Sequence, residues 1–221
     1  MVKSLLMFMG AALCTVGFAA PSSKQQTPLG VPFQGKEIVI SKDIFKTEKV
    51  PFIEHVAGNS SWLGMNFDFQ YVKPVFDALN STEVPLISRG ESHVTVITPP
   101  EFAVLASGGV TIDQVNKIAR DLSIQSSKVK IVCLGKEDVV ISGVQKIVYQ
   151  LIVDAPNLVK IREEIFKIYV SNGGNTALFD PRSFWPHITV GFTSSDVFLE
   201  SGVYKGSNVC HSPVKVKKIK N

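Results

Sequence analysis

The run Phe184-Trp185-Pro186-His187-Ile188-Thr189-Val190-Gly191-Phe192 places a histidine and a threonine two residues apart among β-branched residues. The same pattern occurs 94 residues earlier (187 − 93), at Ser92-His93-Val94-Thr95-Val96-Ile97. Along a strand, residues two apart project to the same face, roughly 6 to 7 Å from each other. His93 therefore shares a face with Thr95, and His187 with Thr189, while Val94, Val96, Ile188 and Val190 point the other way. A strand with one apolar face turns its polar pair toward a cleft or toward solvent. Two such strands side by side would line a cleft with two imidazoles and two hydroxyls.

That set suits phosphodiester chemistry. Histidine is the side chain whose neutral and protonated forms coexist near neutral pH, so one ring can take a proton from an attacking water while the other gives one to the leaving oxygen. Threonine hydroxyls can donate to the non-bridging phosphate oxygens, whose charge shifts as phosphorus becomes five-coordinate. A single His-x-Thr in a strand is usually structural. Two copies in similar strand contexts are more specific, although only two positions of the pattern are fixed.

The sequence resembles the 2H phosphoesterase superfamily, named for its two His-x-Thr/Ser-x motifs, and in particular its Swiss-Army-knife branch associated with RNA repair. The resemblance spans about residues 60 to 212 and is carried by Arg89-Gly90-Glu91-Ser92-His93-Val94-Thr95-Val96-Ile97-Thr98-Pro99-Pro100-Glu101-Phe102, Cys133-Leu134-Gly135 and Trp185-Pro186-His187-Ile188-Thr189-Val190-Gly191-Phe192-Thr193. It implies catalytic roles for His93 and His187 and phosphate-binding roles for Thr95 and Thr189, with no metal and no cofactor. The fold it implies is α+β and bilobal: two pseudo-symmetric β-sheet lobes, flanked by helices, around a central cleft that holds the motif strands. The implied activity opens a 2′,3′-cyclic phosphate on an RNA end or a nucleotide, without DNA readout. The chain departs from the pattern at Asp196-Val197-Phe198, where the branch would read Asp-Leu-His.

The 221 residues, 45% hydrophobic and 19% charged, fit one domain with enough apolar material for a core. The start reads as a signal peptide over residues 1–19: Lys3, an apolar run from Leu5, and the small-x-small end Gly17-Phe18-Ala19. The run is short for a span of about 20 residues, and the competing reading is a retained anchor. The remaining chain carries 22 Lys and Arg against 19 Asp and Glu, a net of +3. So mild an excess does not by itself imply nucleic acid. The visible basic cluster, Lys215, Lys217, Lys218 and Lys220, fits a solvated tail or a lysine-protected edge strand.

Export has consequences. Cys14 leaves with the leader, so Cys133 and Cys210 remain as an even pair in an oxidising compartment and are expected to form a disulfide; the alternative is two buried thiols. Asn59-Ser60-Ser61 and Asn80-Ser81-Thr82 are glycosylation sequons in polar stretches. The expected product is a secreted monomer with no membrane attachment once the leader is removed.

Residues 20–35, with Pro21, Pro28, Gly30, Pro32 and Gly35, read as a flexible leader, and the domain runs from 36 to 221. Strands are expected over Glu37 to Ile40, Ser92 to Thr98, Val129 to Leu134, Val144 to Val153 and His187 to Phe192. Helices are expected over Tyr71 to Asn80, over Glu101 to Ala106, after a Thr111 cap, and along Leu158, Ile161, Ile165, Phe166 and Tyr169 up to Asn172-Gly173-Gly174.

Beside the motifs, Trp185 divides evenly between stacking on a base and packing in the core, and Phe184 leans to the core. Arg89 and Arg182 each suggest a phosphate contact or, more simply, a surface salt bridge. His55 and His211 lie outside any motif and read as surface residues. Zinc-type spacings such as His-Glu-x-x-His or Cys-x-x-Cys are absent from the sequence, as are the Gly-x-Ser-x-Gly elbow and the Gly-x-x-x-x-Gly-Lys phosphate loop. A second class of function stays open: a secreted protein that binds nucleotides or RNA ends on this fold without turning them over.

Overall fold

A computed structural model describes residues 25–219 of the chain. The expected signal peptide and Lys220 lie outside them. In chain order the elements are β1 (Ile38–Ser41), β2 (Leu63–Phe67), α1 (Lys73–Leu79), β3 (Ser92–Ile97), α2 (Pro99–Ser107), α3 (Ile112–Asp121), β4 (Lys130–Ile141), β5 (Val144–Asp154), α4 (Pro156–Ser171), β6 (His187–Phe192), β7 (Cys210–Ser212) and β8 (Val214–Lys217). The class is α+β, as expected.

The helix starts follow from local chemistry. Pro99 and Pro100 do not simply halt β3; they open α2, where proline's missing N–H costs nothing in the first turn. The Thr98 side chain accepts from the Glu101 N–H, and the Glu101 carboxylate accepts from the Thr98 N–H, a reciprocal capping box. Thr111 and Gln114 repeat the device at α3. Between β4 and β5 the turn is Ser142-Gly143, with φ of 53° and 77°. Two consecutive positive φ values give the hairpin turn whose twist matches its strands, and glycine takes the second without strain.

Six strands form one sheet in the order β2-β3-β6-β5-β4-β7, and every neighbouring pair is antiparallel. The two lobes expected from the resemblance are thus joined edge to edge, because the motif strands β3 and β6 pair with each other at the centre. Val94 is the Cα partner of Ile188. Val94, Val96, Ile188 and Val190 are buried and merge with Leu105, Val115, Leu158, Ile161 and Ile165 into one core. α4 packs along β3 and α3 packs along α4 on this apolar side. The opposite face of β3 and β6 carries the polar pairs.

The two ends of the domain differ from their expected form or go beyond it. Residues 25–35, expected within a flexible leader, are held in place: Gln26 bridges Pro32, the Thr27 hydroxyl accepts from the Val31 N–H, and the N–H groups of Gln34 and Gly35 donate to the His211 carbonyl. The breaker residues there build a closed turn rather than a coil. The lysine-rich end does form an edge strand, β8, which pairs with β1 in parallel as a separate two-stranded sheet.

Candidate active site

Because β3 and β6 run antiparallel with Val94 opposite Ile188, the flanking residues meet crosswise: His93 lies across from Thr189, and Thr95 across from His187. The four polar side chains occupy the corners of a quadrilateral with the histidines on one diagonal. Diagonal neighbours on paired strands sit roughly 7 to 8 Å apart, which leaves room for a phosphate between the rings. All four line one cleft of about 550 Å³, together with Trp62, Arg89, Trp185, Asp196, Phe198 and Lys205.

The two imidazoles have different partners. Nδ1 of His187 lies 2.8 Å from the Trp185 carbonyl oxygen. A carbonyl only accepts, so Nδ1 carries the hydrogen and Nε2 keeps its lone pair. Burial, followed by the Lys205 ammonium, pushes this ring down to about 4, so it is neutral across the physiological range. Nδ1 of His93 instead lies 2.6 Å from Oε2 of Glu91. That carboxylate accepts the Nδ1–H and supplies a counter-charge for the protonated ring. Burial alone would raise Glu91, but its hydrogen bond to His93 and the charges of His93 and Arg89 hold it below the ordinary glutamate value.

Asp196 is the electrostatic hub on the other side. Its Oδ1 accepts from Lys205 Nζ at 2.5 Å, and its Oδ2 accepts from Arg89 at 2.8 Å and from the Thr189 hydroxyl at 3.2 Å. Both members of the Lys205–Asp196 pair are only 5% exposed in their side chains. Burial would raise Asp196, but the two cations hold it well below the usual aspartate value. Two positive charges on one carboxylate leave this wall of the cleft with a surplus positive charge, which suits an anion.

The aromatic walls are made by both tryptophans. Trp185 lines the cleft with Tyr204 edge-on at 5.1 Å, and Gly206 passes so close to Trp185 that a Cβ there would lie 2.9 Å from the ring. Trp62, at the entrance to β2, stands 4.7 Å from His93 and stacks on His55 at 3.6 Å. His55 and His211 are both half-buried, which corrects their reading as surface residues. Phe184 packs against the core and over Arg162, as its sequence context indicated. Arg182 is the exposed salt bridge, with Glu163. Arg89 makes a salt bridge too, but to the buried Asp196 inside the cleft.

The loop that delivers the second motif is pinned from below. Arg162 on α4, 1% exposed, donates to the carbonyls of Val96, Asp180, Pro181 and Ser183 and forms a forked pair with Glu101. Its guanidinium lies between the rings of Phe179 and Phe184, 4.9 Å from each. One side chain thereby ties β3, α2 and residues 180–183 together immediately before Trp185.

Cys133 and Cys210 form a disulfide, with Cα atoms 5.6 Å apart, joining β4 to β7. It anchors the far end of the segment that runs from β6 back over the sheet and carries Lys205. Asn59 and Asn80 are exposed, and the Asn80 side-chain Oδ1 accepts from the Leu86 N–H. Among the described residues, no group of three or more His, Cys, Asp or Glu is placed to hold a metal ion.

The family model described as Swiss Army Knife, 2H phosphoesterase domain matches residues 61–198, more than half of the chain and both motif strands. The chain belongs to the 2H phosphoesterase family. No curated protein and no solved structure matches it. This 2H phosphoesterase carries the domain of a phosphodiester hydrolase, and the match ends at the Asp196-Val197-Phe198 departure. There Phe198 lines the cleft at 54% exposure while Asp196 turns inward.

Several members of the site were missed in the sequence. Glu91 was available to period-two reasoning, since it sits two residues before His93 on the same face. Asp196 stands out in the sequence only as part of a departure, and Trp62 and Lys205 stand in no pattern that points to a cleft.

Proposed function

We propose that this 2H phosphoesterase is a secreted enzyme that hydrolyses a cyclic phosphodiester, the 2′,3′-cyclic phosphate of an RNA end or a nucleotide, by acid and base catalysis from its two motif histidines. The observation that carries the reading is the unlike pairing of the rings: His187 has Nδ1–H committed to a carbonyl and Nε2 left with a lone pair that can accept a proton, whereas His93 is backed by a carboxylate. His187 is therefore the base and His93 the acid.

In this reaction His187 Nε2 takes a proton from water as its oxygen bonds to phosphorus. The bond from phosphorus to one ribose oxygen breaks, and His93 Nε2 protonates that oxygen. Displacement at phosphorus needs the entering and leaving oxygens on opposite sides, and the diagonal placement of the rings matches this. The Thr95 hydroxyl donates to one non-bridging oxygen, and the Thr189 hydroxyl, whose single hydrogen goes to Asp196 without substrate, turns from that carboxylate to another, supported by the surplus positive charge of Arg89, Lys205 and Asp196. Trp185 and Phe198 offer flat apolar surface for a base. No step in this scheme calls for a metal or a cofactor.

Export is supported by the leader-like start, by the Cys133–Cys210 bond, which belongs to oxidising compartments, and by the exposed sequons at Asn59 and Asn80. The test is incubation of purified mature protein, with and without chelator, against a panel of cyclic and linear phosphodiesters, with products read by phosphorus NMR. Ring-opened monophosphate formed from 2′,3′-cyclic nucleotides in both arms is the expected result. Tight binding without turnover would favour the non-catalytic binding protein.

A further inference from the structure

Lys205 sits toward the β7 end of the segment that returns from β6, in a stretch with no regular structure, and its ammonium is delivered to the cleft. Nζ is 2.5 Å from Asp196 Oδ1 and 3.4 Å from His187 Nε2, and 5.7 Å from the centre of the Phe198 ring. Burying a lysine is costly unless it is paired, and the pair with Asp196 answers that cost. The pair does not, however, explain why the ammonium faces the histidine. An ammonium only donates, and Nδ1–H of His187 is already committed to the Trp185 carbonyl. The group facing Nζ is therefore the Nε2 lone pair. A proton on Nε2 would set two donors, both positively charged, against each other.

We propose that Lys205 is a positioning residue of this cleft, acting through His187: its ammonium keeps that ring in the neutral form whose Nε2 can accept a proton. The inference rests on the assignment of His187 as the base. It also accounts for turnover, because an imidazolium formed beside a fixed ammonium readily gives its proton up and returns to the starting form. The charged groups around the pair are all in view. His187 faces Lys205 and Asp196 from the return segment and His93 from β3, while Lys205 faces Asp196, Arg89 before β3, and Glu137 from β4. Burial raises the Glu137 carboxyl to about 7, so below neutral pH Asp196 is the main negative charge facing the ammonium.

The experiment is a titration of the His187 ring nitrogens by NMR in the full mature chain without substrate, for the wild type, Lys205→Met, Lys205→Arg and the double variant Lys205→Met/Asp196→Asn. The wild-type ring should be neutral at pH 6. Lys205→Met should raise its midpoint by about one pH unit or more, the size expected from removing one close like charge. Lys205→Arg should restore wild-type behaviour. The double variant removes the ion pair as a unit, so it keeps the test available if Lys205→Met alone does not fold, and its midpoint should rise by less. An unmoved midpoint in either folded methionine variant, or a wild-type ring that already titrates near 6.5, would overturn the proposal. The reading needs no turnover, so a wild type inactive on cyclic diesters would defeat the proposed reaction and leave this result standing. Conversely, an active wild type with an unmoved ring would defeat the role of Lys205 alone.

Discussion

His187 donates from Nδ1 to the carbonyl oxygen of Trp185, two residues back along the chain, at 2.8 Å. This one contact sets the tautomer and leaves the Nε2 lone pair facing Lys205 in the cleft. It also explains why the residues just before the motif matter: Arg162 fixes residues 180–183 on one side of Trp185, and the Val153 N–H holds the Pro186 carbonyl on the other.

The acid limb of activity should report His187. Its folded value is lowered to about 4 by burial and then by Lys205, and the base must be neutral, so kcat/KM should hold until pH falls toward that value and then decline. Stability has its own sign: the unfolded ring, near 6.5, binds a proton before the folded one does. The contribution of His187 is thus fully present above about 6.5 and is lost as pH falls from there to about 4, by roughly 2 to 3 kcal/mol. Urea unfolding at pH 7 and pH 4.5, in the wild type and in His187→Gln, isolates this term.

The hydroxyls should not be equivalent. Thr189 already donates to Asp196, whereas the Thr95 hydroxyl has no hydrogen-bond partner among the described residues. Thr95→Val should cost about 1.5 to 3 kcal/mol of transition-state binding, roughly 10- to 150-fold in kcat/KM, the range for a hydrogen bond to a charged group. Thr189→Val should cost activity too and should also disturb Asp196. Steady-state kinetics on folded variants checks both, and unchanged efficiency in the pair would remove the hydroxyls from the reaction.

Arg162→Met should destabilise the protein by about 3 to 5 kcal/mol, because it takes the buried cation from the part-buried Glu101 carboxylate and the donor from four carbonyl oxygens. Thermal unfolding should show the loss directly. A melting temperature within a degree of the wild type would mean that the clamp is dispensable.

The Cys133–Cys210 bond spans 77 residues of chain, and its removal should cost about 2 to 4 kcal/mol. Unfolded, unreduced mature protein should contain no free thiol. Since the bond anchors the segment bearing Lys205, Cys133→Ala/Cys210→Ala should lower activity under conditions where the protein remains folded.

Much of this was legible in the sequence because it depends on local periodicity. Period two put His93 with Thr95 and His187 with Thr189, and helical spacing found α3 and α4 with their caps. The paired cysteines gave the disulfide. What escaped was set by the register between distant strands and by the return segment. That β3 and β6 would pair directly, fusing two expected sheets into one, depends on Val94 meeting Ile188, and no local pattern records this. β2 went unseen because all five of its residues are buried, which removes the alternation that marks a half-exposed strand. Lys205 is a lone lysine in an irregular stretch, and only the anchoring of that stretch at Asp196 and Cys210 brings it to His187.

The most direct test of the central claim is specific activity per folded molecule for His93→Ala, His187→Ala and the double variant on a 2′,3′-cyclic nucleotide, with folding checked by circular dichroism. Residues that act as one unit give losses that do not add, so all three variants should be folded and crippled to a similar degree. A folded single variant with near wild-type turnover would contradict the account.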